Sequence, residues 1–104
     1  MIDHDFNKTI QGNFLFDAED PVYKVHFLSF PVVPGSLIIQ AFVETIKKIR
    51  TSMCKLSVHY FKFIHFAEPG LAAYQINMTE TSIHCQLFQN NKEIAKGSIL
   101  AYAT

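Results

Sequence analysis

Between Val25 and Val43 the chain carries nineteen residues, VHFLSFPVVPGSLIIQAFV, with no Asp, Glu, Lys or Arg among them. A run of that length is nominally enough to cross a bilayer. Pro31, Pro34 and Gly35 interrupt it, and the residues before each proline are pushed away from helix. What stays helical after Gly35 is too short to span, so the run reads as a loop feeding a buried helix. From Ser36 to about Ser52, Leu37, Ile38, Ile39, Ala41, Phe42, Val43, Ile46 and Ile49 cover nearly all sides of the first half. A helix apolar all round is a buried helix. Lys47, Lys48 and Arg50 fall in its last turns, where cations complement the helix dipole. The expected helix therefore plunges into the protein at its start and emerges at its end.

The flanking segments read as strands. GNFLFDAEDP gives a short strand through Phe14 and Phe16 and a turn at Ala18–Pro21, and VYKVHF is expected to be a second short extended piece. In VHYFKFIHF, Val58, Tyr60, Lys62, Ile64 and Phe66 alternate with His59, Phe61, Phe63 and His65. EPG, at 68–70, is a turn. In LAAYQINMT, Tyr74, Ile76 and Met78 alternate with polar residues, the pattern of a sheet with one wet face. SIHCQLFQ and EIAKGSILAYA flank NNK, which reads as a hairpin turn. The sum is an α+β domain over residues 1–104, an antiparallel sheet of about five strands around one long buried helix. So apolar a helix needs more cover than one small sheet, which predicts a curled sheet and a second subunit.

Composition narrows the partners. The formal net charge is zero, so nothing points to nucleic acid, whose binders carry a basic excess. Cys54 and Cys85 are the only cysteines, too few for a disulfide framework and consistent with a reducing compartment. The start, MIDHDFNKTIQG, resembles neither a signal peptide nor a transit peptide. The expectation is a cytoplasmic protein without a membrane segment. His84 and Cys85 are neighbours on one strand and point to opposite faces. With no CxxC or HxxxH spacing, no metal site is expected.

The pattern His26-Phe27-x-x-x-Pro31-Val32-x-Pro34-Gly35-x-Leu37-x-Ile39-x-Ala41 resembles the signature of the FabZ/FabA-type 3-hydroxyacyl-[acyl carrier protein] dehydratases, GHFP followed by PVMPG and a helix starting VLxIEA. FKFIHFAEPG and FQNNKEIAKGSILAYA are similar to later strands of that family, so the resemblance spans about residues 9–103. It implies a hot dog fold, an acyl thioester on acyl carrier protein or CoA as substrate, no cofactor, and a homodimer or dimer-based oligomer. It further implies His26 as the base and the Gly35 N–H as donor to the thioester oxygen. Phe27, Pro34, Ser36 and Leu37 would lie against the substrate.

The sequence departs from the family at Val25, where glycine is usual, and at Leu28, where proline is usual. The family's N-terminal helix and PHRxPFLLVD-like strand have no counterpart in it. Most consequential is Gln40, which stands where the family has its catalytic Glu or Asp. An amide cannot deliver a proton at ordinary pH. Glu44 lies on the same helix face, one turn or about 5.4 Å further along. Without the motif His26 would read first as a core histidine, and Gln40 reads equally as a hydrogen-bonded amide without chemistry. Three readings follow: a dehydratase of altered activity, a thioesterase, or a non-catalytic acyl-binding or partner subunit. The basic cluster Lys47, Lys48, Arg50 and Lys55 reads as a solvated helix end, with contact to an acidic carrier as the other reading.

Overall fold

The computed structural model describes residues 8–25, 31–50 and 54–103, and the side chains of 8–23, 31–50 and 55–102 within them. Along the chain run β1 (Lys8–Phe16), α1 (Val22–Val25), α2 (Gly35–Ile49), β2 (Cys54–Phe63), β3 (Gly70–Met78), β4 (Ser82–Gln89) and β5 (Lys92–Ala103). The strands form one five-stranded sheet in the order β1-β3-β4-β5-β2, with every neighbouring pair antiparallel. This agrees with the antiparallel sheet of about five strands and the one principal helix expected from the sequence. β4 and β5 are joined at Asn90 and Asn91, both with positive φ (55° and 62°). That conformation gives the tight hairpin turn whose twist matches the flanking strands, and Asn tolerates it better than most residues.

The helix differs from expectation in length and coverage. It has fifteen residues and ends at Ile49, so it is of ordinary length and not long. The backbone leaves helical geometry at Arg50, whose guanidinium donates to the carbonyls of Thr79 (3.4 Å) and Glu80 (3.3 Å). Arg50 thus fastens the helix end to the β3–β4 turn, whereas Lys47, Lys48 and Lys55 are exposed. The helix is also not buried all round. Ile38, Phe42 and Ile46 form the buried stripe, while Ser36, Gln40 and Glu44 face outward. The stripe has the i, i+4, i+8 spacing that puts residues on one helix face.

Phe42 is fully buried. Its ring meets Phe14 of β1 edge-on, with centroids 5.0 Å apart, and Phe61 of β2 at 5.8 Å. Those two strands are the opposite edges of the sheet. One helix side chain touches both edges, so the sheet curls around the helix. The inner face is completed by Ile76, Ile83, Cys85, Leu87, Ala95 and Ile99, all buried.

Two local readings are corrected. The segment 22–25 within VYKVHF is a helical turn, not an extended piece. Asp20 accepts the Val22 N–H on its side chain (3.0 Å) and the Tyr23 N–H on its carbonyl (3.1 Å). Pro21 supplies the preset φ that suits a first helical position. His26 and Phe27, the rest of that segment, lie outside the described residues. The unbroken alternation through 58–66 is also not observed. β2 pairs with β5 as Leu56↔Ala101 and Val58↔Ile99, then as Tyr60↔Ser98, Phe61↔Gly97 and Phe63↔Ala95. His59 is the extra residue of a β-bulge, and after it the odd positions share the helix-facing side. The strand stops at Phe63, so Ile64, His65 and Phe66 lie beyond it.

Gly97 exists for this arrangement. A Cβ there would stand 2.5 Å from both Phe61 Cγ and the Tyr60 carbonyl oxygen. Gly97→Ala should therefore destabilise the fold by about 1–3 kcal/mol through overpacking. Phe42→Ala should cost about 3–5 kcal/mol, the usual range for removing a buried Phe side chain. Denaturant midpoints measured for both variants check these values.

Candidate functional site

The outward face of α2 forms one wall of a cavity of about 250 Å³. Leu37, Gln40, Ala41 and Glu44 line it from the helix, Leu15, Phe16, Asp17 and Asp20 from β1 and the turn after it, and Tyr23 from α1. Gln40 and Glu44 are one turn apart and touch: Gln40 Nε2 donates to Glu44 Oε2 at 3.2 Å. The amide at the position of interest and the nearest carboxylate are therefore a hydrogen-bonded pair on the same wall.

The turn between β1 and α1 is held by its own acids. Asp17 Oδ1 accepts the Glu19 N–H at 2.8 Å, and the Asp17 carbonyl accepts the Asp20 N–H at 3.0 Å. These bonds, with the Asp20 cap on α1, fix where Tyr23 enters. Tyr23 is 7% exposed, and its hydroxyl is buried without a hydrogen-bond partner among the described residues. Such an orphaned group costs about 1–3 kcal/mol relative to a satisfied one. Burial pushes the phenol pKa up, and the nearby carboxylates of Asp20 and Asp17 push it further. The phenol therefore stays protonated and acts as a hydrogen-bond donor.

The residues singled out in the sequence are only partly brought together. Leu37 and Gln40 line the cavity, while Pro34, Gly35 and Ser36 do not. Pro34 is the residue preceding the first turn of α2, which has no side-chain cap. Ser36 is exposed. Gly35 faces Phe63: a Cβ on Gly35 would lie 2.8 Å from the tip of that ring. The room left by the absent side chain is taken up by Phe63, itself half-exposed at the end of β2. His26 and Phe27 lie outside the described residues.

Sequence reading missed Tyr23, Asp17 and Asp20. The signal was there in DAEDPVY, where an Asp three residues before a Tyr, followed by Pro, is a helix-start pattern. Among the described residues no group of three or more His, Cys, Asp and Glu is arranged to hold a metal ion. His84 is exposed and Cys85 buried, on opposite faces of β4. No helix among the described residues is long and apolar enough to cross a membrane.

No family model matches the chain, and no curated protein matches it in sequence. Solved structures do match in fold. A chain of the dehydratase heterocomplex ApeI:P from Xenorhabdus doucetiae superposes with a TM-score of 0.78 at 17% identity, covering 90% of this chain and 87% of that one. A mutant of the fluoroacetyl-CoA-specific thioesterase FlK gives 0.65 at 11% identity, covering 93% and 85%. The same protein in complex with fluoroacetate and CoA gives 0.64 at 11% identity, covering 92% and 91%. At these identities the likeness is one of fold. With its five-stranded antiparallel sheet around one principal helix, the chain has a hot dog fold.

The remaining nucleophile of the core is inert. Burial pushes the Cys85 thiol up to about 12 from 9.0, so almost no thiolate exists at neutral pH. Native protein should resist alkylation at Cys85 with iodoacetamide at pH 8, while denatured protein reacts within the usual time, as peptide mass mapping will show. The unfolded chain ionises this thiol first. Its contribution to stability is therefore complete below pH 9 and lost as pH rises from 9 towards 12.

Proposed function

We propose that this chain handles acyl thioesters as a FabZ/FabA-like dehydratase subunit, acting on a 3-hydroxyacyl group carried by acyl carrier protein or CoA in the cytoplasm. The observation that carries this reading is the Gln40–Glu44 pair on the wall of the cavity beside α2. Dehydration needs a base for the proton beside the carbonyl, a donor to the thioester oxygen and an acid for the departing hydroxyl. His26, from the motif, is the proposed base, and the Gly35 N–H at the uncapped start of α2 the proposed donor. Gln40 cannot be the acid. Glu44 takes that role, with one oxygen held by the Gln40 amide and the other free to carry the proton. Phe27, Pro34, Ser36 and Leu37 are proposed substrate contacts.

A second reading rests on the same pair. A carboxylate with an amide beside it can hold and activate a water, which would hydrolyse the thioester. Both a dehydratase complex and a thioesterase are among the similar folds. The dehydratase reading is preferred because the motif from His26 to Ala41 supports it.

The two are separated on one substrate, 3-hydroxybutyryl-N-acetylcysteamine. Enoyl formation is followed by ultraviolet absorbance and thiol release by titration. Wild type should form the enoyl thioester. Glu44→Gln should lower that rate by about 10²–10⁴-fold, the usual worth of general acid help, and His26→Ala should abolish it with the fold intact. Gln40→Glu should raise it. Position 40 is exposed, so the new carboxyl gains its proton from the like charge of Glu44 and not from burial. Thiol release lost in Glu44→Gln, with no enoyl product from wild type, would establish the hydrolase reading instead.

The proposed assembly is a homodimer or a dimer-based oligomer, with a complementary hot dog chain as the alternative partner. One free sheet edge, β2, and the loop after it carry exposed Val58, Tyr60, Phe63, Ile64 and Phe66, an apolar surface that calls for cover. Sedimentation at micromolar concentration should give a dimer or a multiple of it. A stable monomer would require the complementary chain for activity.

A further inference from the structure

Tyr23 has no part in the chemistry just described, yet among the described residues its hydroxyl is the buried side-chain polar atom left without a partner. It lines the same cavity as Gln40 and Glu44. Buried polar groups are almost always satisfied, and an unsatisfied one in a native fold needs an explanation. A phenol that served packing alone would be better as Phe, which keeps the ring and carries no orphaned donor. A ligand oxygen would supply the missing acceptor.

The surroundings say which oxygen. Asp17 and Asp20 line the cavity from the turn between β1 and α1, so an anionic group entering there meets like charge. A neutral carbonyl or hydroxyl does not. We propose that Tyr23 is a ligand-binding residue: its hydroxyl donates a hydrogen bond to a neutral oxygen of the acyl ligand, the thioester carbonyl or the 3-hydroxyl. The carboxylates of Asp17 and Asp20 keep the corresponding free acid out. The phenol oxygen is buried, so a ligand reaches it once a side chain lining the cavity moves. Leu15, 68% exposed on the cavity rim, is the side chain free to yield. The cavity then discriminates an acyl thioester from its hydrolysis product by charge, independently of the acyl chain. This inference rests on the acyl-thioester reading above.

The test is binding without turnover. The probes are the amide analogue of 3-hydroxybutyryl-N-acetylcysteamine, in which nitrogen replaces sulfur, and 3-hydroxybutyrate. Calorimetric and NMR titration should show that wild type binds the amide and not the acid. Tyr23→Phe should bind the amide about five- to tenfold more weakly, the worth of one neutral hydrogen bond, with a melting temperature equal to or above that of wild type. Asp17→Asn should admit 3-hydroxybutyrate; the Asn oxygen still accepts the Glu19 N–H. Unchanged affinity in Tyr23→Phe overturns the proposal, and so does a lowered melting temperature, which would show that the hydroxyl is already satisfied in the fold. Wild type binding both probes alike, or neither, overturns it as well. Turnover of the thioester with unchanged affinity in Tyr23→Phe would leave the dehydratase reading standing and remove this inference. Binding as expected without turnover would do the reverse.

Discussion

The contact on which the rest depends is that of Phe42 with the two edges of the sheet. A flat sheet of five strands, spaced about 4.8 Å apart, puts its edge strands too far apart for one side chain to reach both. Phe42 touches Phe14 on one edge and Phe61 on the other, which is possible only because the sheet curls. The curl in turn buries Ile38 and Ile46 above and below it on the helix. Hydrophobic burial and sheet twist therefore work on the same residue, and the inner face closes around it.

That division leaves α2 with two jobs on two faces. The inward stripe holds the fold, and the outward face carries Gln40 and Glu44. Because they are exposed, both can change with little effect on packing, the usual outcome at surface positions. A fold of this kind can thus keep its scaffold while exchanging the polar residues on the helix. Solved structures of the same fold described as a dehydratase complex and as a thioesterase are in keeping with that freedom.

Most of the architecture was legible because it rests on period. Strands β3 and β4 alternate cleanly, and their inner residues are those that the alternation selects. The start of α2 was legible because Pro34-Gly35 leaves little choice. What escaped was decided by single residues against the local pattern. Val22 and Tyr23 favour strand, yet the Asp20 cap and Pro21 turn them into helix. The bulge at His59 has no marker in VHYFKF, because it answers to Gly97 on the neighbouring strand, thirty-eight residues later. In the candidate site, Gln40 and Glu44 could be placed on one face from spacing. Tyr23 could not, since its approach to α2 depends on a turn held by two aspartates.

The bulge also sets how this chain can vary over evolutionary time. His59 is exposed and stands outside the ladder, so neither its substitution nor its loss reaches the pairs on either side. Removal would join Val58 directly to Tyr60 while their partners on β5 stay Ile99 and Ser98, so Phe61 and Phe63 would still face α2 and Tyr60 and Lys62 the outside. In this part of the chain one residue of length is free to be gained or lost, whereas the alternation on either side of it is not free to change.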